Sequence, residues 1–319
     1  MKIDRIYLFL TGGLGNQLFQ LAAAKSLNPN EIKIITSVGH PRLNKEGRAD
    51  IFGLNIGHEV SEHKLKHPNK FVGKVFGYLL RSSITPTFTE KLLLRKMMRI
   101  IAKVIIQYEI NDKFKICYSE SVGFTNLNEE DSTLLLIGYF QSYKYLDTLR
   151  QIKENNDISI FNQLKYETSK VSLKRDTKLI VHFRIGDYKL DHSFGVINPT
   201  YYSQAIKKVI SEYHFDEILV FSDEIAMARR LISIETPIKI TWVDPVEYDT
   251  LRSFQLMRTG HAFIIGNSTF SWWAAALALS KPLKVIAPNP WFAGMPDPKQ
   301  LIPKDWNRVK VDFIREGLK

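Results

Sequence analysis

The 319-residue sequence predicts an α/β fold built on parallel sheet. In its second half an apolar run breaks three times into polar residues: 179–181 before His182, 218–221 before Ser222 and Asp223, and 262–265 before Gly266, Asn267 and Ser268. Helical patterns follow each run. Strands that alternate with helices favour a parallel sheet, and right-handed crossovers bring the strand ends to one edge. The length is sufficient for two domains with separate cores.

The elements follow in order. Residues 5–10 form an apolar run, Thr11, Gly12, Gly13, Leu14, Gly15 and Asn16 a glycine-rich turn, and 17–27 a helix with Leu18, Leu21, Ala22 and Leu27 on one side. The glycines permit positive φ and close backbone approach, so a diphosphate or a substrate hydroxyl can rest near the amides of 14–17; a purely structural tight turn is the alternative. A dinucleotide fingerprint requires a third glycine where Leu18 stands, and a P-loop requires Gly-Lys-Ser/Thr, so neither motif is present. A second strand is expected at 33–36 and another at 134–137, which leads into Gly138, Tyr139, Phe140, Gln141, Ser142 and Tyr143. The aromatics there either stack on a sugar or fill a domain interface.

The charged stretch 155–178 lacks a long apolar run and is the candidate crossing between domains, here 1–160 and 161–319. Beyond 179–188 come a turn at Asn198-Pro199 and a helix over 201–213. Helices at 224–232 and 269–279 follow the next two strands, the latter capped by Ser268. A strand at 284–287, the proline-punctuated stretch 288–298 and an apolar run at 309–314 close the chain.

The net charge of +11 is concentrated: 64–103 carries ten Lys or Arg against the single acid Glu90. Within it, 92–106 reads as a cationic amphipathic helix in which Arg95, Arg99 and Lys103 recur every four residues. Such a helix either lies on an anionic membrane surface or packs in the core with a solvated basic face. No recognised nucleic-acid motif accompanies the charge. The opening apolar run is too short for a signal-peptide core or a membrane span, so a cytoplasmic location is expected. A lone cysteine, Cys117, permits neither an internal disulfide nor a cysteine-based zinc site.

The polar strand ends together describe a site for a nucleotide diphosphate. Arg184 offers a planar fork of donors suited to phosphate oxygens. Ser268, Thr269 and the free amides of the following helix form an anion site with hydroxyl support. Asp223 is an acceptor suited to the amino and imino edge of a guanine, and His182 is placed to orient base or ribose. Singly, Ser268 and Asp187 also read as caps and His182 as a core histidine.

These segments resemble the bacterial α1,2-fucosyltransferases, the inverting, GDP-fucose-dependent glycosyltransferases of family 11. The matching residues are Gly12-Gly13-Leu14-Gly15-Asn16-Gln17-Leu18-Phe19-Gln20, Gly138-Tyr139-Phe140-Gln141-Ser142, the stretch 182–188, Phe221-Ser222-Asp223, and Gly266-Asn267-Ser268-Thr269-Phe270-Ser271-Trp272-Trp273-Ala274-Ala275. The resemblance implies two facing Rossmann-like domains of GT-B type with the active site in the interdomain cleft. It places the acceptor side in 1–160 and GDP-fucose in 161–319. It further implies donor contacts from Gly13, Gly15, His182, Arg184, Asp223, Asn267, Ser268, Thr269 and Phe270, with Arg184, Asn16 and Asp187 as catalytic candidates. One departure stands out. The family usually has two consecutive arginines, whereas Ile185 follows Arg184 here, so the second is either dispensable or replaced by another cation.

No Asp-x-Asp triplet occurs, so neutralisation of the departing diphosphate is assigned to Arg184 and the Ser268–Thr269 amides and hydroxyls, with no metal and no cofactor expected. Asp187 is the only carboxylate in the central motif; it is either the base or a holder of the loop. The implied reaction is fucosyl transfer to the 2-hydroxyl of a terminal galactose or related hexose, in O-antigen or other surface polysaccharide synthesis. A lipid-linked oligosaccharide acceptor would give the basic helix a reason for peripheral contact with the inner face of the plasma membrane. Another linkage or donor on the same fold, and a non-catalytic nucleotide- or membrane-binding protein, are the alternatives.

Overall fold

A computed structural model describes residues 2–36, 41–43, 47–65, 70–84, 90–110, 113–119, 121–127, 131–155 and 177–314. The chain divides into two compact units, one of residues 1–164 with 298–301 and one of 165–297 with 302–319. The boundary expected at 160/161, and most of the crossing expected at 155–178, lie outside the described residues.

The first unit begins with β1 (Arg5–Phe9), α1 (Leu14–Lys25), β2 (Glu31–Ile35) and β3 (Val60–His63). It continues through α2 (Lys70–Ile84), α3 (Glu90–Ile110), β4 (Lys115–Tyr118), β5 (Thr133–Ile137) and α4 (Tyr143–Asn155). Its five strands are all parallel in the order β3-β2-β1-β5-β4. Strands covered on both faces need apolar residues at every position, and Leu134, Leu135, Leu136 and Ile137 are all inaccessible. Helix α1 is buried nearly all round, which its Leu, Phe and Ala content allows. It starts three residues earlier than the periodicity suggests, because Gly13 serves as N-cap.

The second unit contains β6 (Lys178–Phe183), β7 (Val196–Ile197), α5 (Pro199–Glu212), β8 (Glu217–Ser222), α6 (Ile225–Leu231), β9 (Lys239–Val243), α7 (Thr250–Met257), β10 (Ala262–Ile264), α8 (Thr269–Ala276), β11 (Lys284–Asn289), β12 (Asn307–Lys310) and β13 (Phe313–Ile314). The apolar run at 309–314 is thus divided. Its first part joins the main sheet as β12, and β13 pairs antiparallel with β7. The six-stranded sheet is parallel throughout, in the order β12-β11-β10-β6-β8-β9. From β6 the chain builds outward through β8 to β9, then crosses back to β10 on the other side of β6 and proceeds to β11 and β12. The winding therefore reverses between β6 and β10, and ligands of doubly wound sheets bind beyond the carboxyl ends of strands at such a reversal.

Candidate active site

At the reversal in the second unit, β6 delivers His182 and Arg184, β8 delivers Asp223, and the β10–α8 connection delivers Asn267 and Ser268. Arg184 is held from two sides. Its Nε and Nη2 donate to Asp187 Oδ1 at 3.1 and 2.6 Å, and its Nη1 lies 3.0 Å from Asp223 Oδ2. Its side chain retains 25% exposure. Burial works against the guanidinium charge, but Asp223 and Asp187 outweigh it and hold the pKa above its ordinary value. The guanidinium also lies 5.4 Å from the Tyr188 ring centre, in cation–π range.

The turn that carries Arg184 is built around Asp223. Asp223 Oδ1 accepts the Ile185 N–H at 3.0 Å, and a Cβ at Gly186 would fall on Asp223 Oδ2. Only glycine lets that carboxylate approach. Asp187 opens a short 3-10 turn, Asp187–Lys189, with most of its side chain in solvent. Ile185 points the other way and is fully buried in the core cluster with Phe183, Tyr202 and Val220. The position that departs from the family pattern is therefore an interior one.

His182 is buried, and its Nδ1 lies 2.9 Å from Ser271 Oγ. The same hydroxyl lies 3.2 Å from Ser268 O, so it ties the imidazole to the start of α8. Burial first, and the Arg184 charge second, push the His182 pKa down to about 3, so the ring is neutral. Ser268 caps α8 as expected, accepting the Phe270 N–H at 3.4 Å. Thr269 and Phe270 are half-buried on the first turn. Asn267 is a clamp: its Nδ2 donates to Phe194 O and Gly195 O, both at 3.1 Å, while its backbone carbonyl accepts the Tyr188 hydroxyl at 3.1 Å. Its buried Oδ1 has no partner among the described residues.

In the first unit the glycine loop also follows a central strand at a reversal of winding, between β1 and β5. Gly12 has φ +71°, and a Cβ there would strike Asn16 Nδ2. Gly13 caps α1 with no side-chain bond at the helix start, and Gly15 is buried in the first turn. The amides of Asn16 and Gln17 both donate to Gly13 O, so of the amides expected to face a ligand these two are already engaged. Gln17 pins the loop by donating to Gly12 O (2.8 Å) and Arg42 O (3.1 Å) and accepting the Ile51 N–H (2.9 Å). Gln20 accepts the Thr11 N–H and donates to Gly138 O. Asn16 Oδ1 accepts Gln141 Nε2 at 3.0 Å. Phe140, with φ +53°, is fully buried and packs edge-on to Tyr145. Among the described residues, no three His, Cys, Asp or Glu side chains are grouped to hold a metal ion.

The family model described as glycosyl transferase family 11 matches residues 5–310, a span that includes both the glycine loop and the strand-end cluster. The chain belongs to glycosyl transferase family 11. Among the relatives of this family 11 chain is an O-antigen biosynthesis glycosyltransferase, WbnK, from Escherichia coli, 26% identical over 91% of this chain and 95% of that protein. An alpha-1,2-colitosyltransferase from Escherichia coli is 26% identical over 89% of this chain and 91% of that one. A galactoside 2-alpha-L-fucosyltransferase from Caenorhabditis elegans is 23% identical over 97% of this chain and 77% of that one.

Within this family 11 chain, the second unit brings together His182, Arg184, Asp187, Asp223, Asn267 and Ser268, while Gly13, Gly15 and Asn16 sit in the first. Sequence reasoning missed the residues that orient them: Ser271 for His182, Tyr188 for Asn267, Gly186 for Asp223 and Gln141 for Asn16. Ser271 carried a usable signal, since three residues after the cap it shares the helix face of Ser268. Gln141 stands in the matching stretch 138–142, but its pairing with Asn16, 125 residues away, leaves no trace in the pattern.

Proposed function

We propose that this glycosyltransferase moves L-fucose from GDP-L-fucose to the 2-hydroxyl of a terminal galactose or related hexose, with inversion, in O-antigen or similar surface polysaccharide assembly. The observation that carries the reading is the doubly held Arg184 fork at the winding reversal, beside the amino end of α8. Transfer breaks the bond between fucose C1 and the β-phosphate oxygen and forms one from C1 to the acceptor oxygen. Negative charge develops on the diphosphate and positive charge on the sugar. Arg184 faces the diphosphate with a charge its two carboxylates keep protonated, and the Ser268–Thr269 helix start adds amide donors, a preorganised field of the kind that lowers such barriers most.

Neutral His182 is assigned to the nucleoside. Asp223 is assigned the brace of Arg184, and Asp187, whose Oδ1 already accepts two Arg184 N–H groups, acts on the reaction through that guanidinium. The departing phosphate oxygen then takes the acceptor proton, which suits a dissociative transfer needing little help from a base. Asn16 is assigned, from the family pattern, to the diphosphate or the reacting sugar. The charge is neutralised by side chains and amides, so no metal enters this scheme.

A second reading keeps the site and changes the sugar, and it is favoured by the colitosyltransferase relative. Purified chain incubated with GDP-fucose and a panel of β-galactosides should release GDP and yield an α1,2-linked product by linkage analysis. Release from GDP-colitose but not GDP-fucose selects the second reading; release from neither overturns both.

A further inference from the structure

Helix α3 presents an apolar stripe outward as well as inward. Its inner face, Ala102 and Ile106 with Met98, Ile101 and Ile105, packs in the core of the first unit. On the opposite face Leu93, Met97, Ile100, Val104 and Tyr108 are 68%, 51%, 64%, 65% and 76% exposed. Their spacing of four, three, four and four residues aligns them in one row about 22 Å long at 1.5 Å per residue. Lys96 and Lys103 are exposed along one side of that row. The helix that could have hidden its apolar residues in the core thus keeps a second set in water, where a row of this size marks a contact surface. Among the described residues, no helix is long and apolar enough to cross a membrane.

We propose that this outer face of α3 lies in the plane of an anionic phospholipid bilayer, with the row in the acyl boundary and the lysines on the headgroups. Charge selects this occupant. The stretch 64–103 holds ten Lys or Arg against one acid, so two copies laid row to row would bring like charges together, whereas anionic headgroups neutralise them. Apolar insertion and basic flanks are the two terms that hold an interfacial helix. The inference is independent of which donor or acceptor the second unit uses.

The full chain should sediment with vesicles of phosphatidylcholine containing phosphatidylglycerol and remain in solution with phosphatidylcholine alone. The paired substitution Ile100→Asp/Val104→Asp should abolish sedimentation, and Lys96→Glu/Lys103→Glu should weaken it by roughly fivefold or more per lysine. Both pairs lie on the outer face, so their melting temperatures and their rates with soluble acceptor should match the parent. Three results overturn the proposal: no sedimentation with anionic vesicles, sedimentation unaffected by Ile100→Asp/Val104→Asp, or a parent dimer by light scattering that this pair converts to monomer, which would assign the face to a second copy.

Discussion

Asp223 holds the Arg184 side chain and the Ile185 backbone at once, with Oδ2 3.0 Å from Arg184 Nη1 and Oδ1 accepting the Ile185 N–H at 3.0 Å. One carboxylate thereby fixes both the fork and the turn that aims it. Asp223→Ala should cost about 1–3 kcal/mol of stability in urea titrations, the range for a buried donor left unsatisfied, and should lower turnover. Asp223→Asn keeps an acceptor for Ile185 but removes the charge. Its stability should recover while its turnover stays low; recovery of both would show that the charge on Asp223 is immaterial.

Arg184→Ala should raise the barrier by roughly 3 kcal/mol or more, by analogy with loss of a preorganised oxyanion donor. Steady-state rates with GDP-fucose measure it, and a near-normal kcat/KM would remove Arg184 from the mechanism. The same assay in excess EDTA should run at full rate. Loss of rate restored only by Mg²⁺ or Mn²⁺ would require a metal.

His182 links stability to pH. Its pKa is about 3 in the folded chain against 6.5 ordinarily, so between those values the unfolded state takes up a proton that the native state refuses. Stability therefore falls as pH drops below about 6.5, with a slope from this group of about 1.4 kcal/mol per pH unit, and is unaffected by it above neutrality. Urea midpoints of the parent and His182→Gln between pH 7 and pH 5 should differ by that slope, and parallel curves would mean the ring is charged when folded.

Restoring the family's second arginine should not help this chain. Ile185 has no accessible surface, and Ile185→Arg would place an unpaired charge in the core, costing roughly 3 kcal/mol or more. Thermal melting checks this. An unchanged melting temperature with higher turnover would show that the turn can rotate position 185 outward.

Gln141 donates to Asn16 Oδ1 at 3.0 Å, which turns the Asn16 amide nitrogen over the Gly12 backbone. Gln141→Ala should lower kcat about fivefold, the equivalent of one neutral hydrogen bond of about 1 kcal/mol, and leave KM for the donor unchanged. A change in donor KM alone would place the pair with the nucleotide instead.

How much of this was legible depended on burial. Strands β5, β6, β8 and β10 are covered on both faces, so they read as unbroken apolar runs and their polar ends stood out at once. Strand β9 lies at the sheet edge, and only Val243 of its five residues is buried, so its sequence holds no apolar run that marks a strand. Helix α7 is short, and its cap, Asp249 accepting the Arg252 N–H, lies in a polar stretch that reads as loop. Arg184, His182 and Asp223 were found because strand order brings their positions together. Their fine roles were not, because bonds such as His182–Ser271, 89 residues apart, leave no periodic trace. In the sequence Ile185 reads only as a missing charge; its burial in the core explains why an isoleucine is stable there.

Residues 298–301 belong to the first unit although 133 residues of the second precede them. Gln300 O accepts the Tyr143 N–H and the Ser142 hydroxyl, both at 2.9 Å, Lys299 O accepts the Phe124 N–H at 3.2 Å, and Leu301 is buried. During synthesis the unit that starts first therefore stays incomplete until 133 residues of the second have been made. Its four-residue closing piece leaves the ribosome only after the whole six-stranded sheet except β12 has been made, so a nascent chain stalled before Pro298 carries an amino-terminal sheet whose Tyr143 turn still lacks its acceptor.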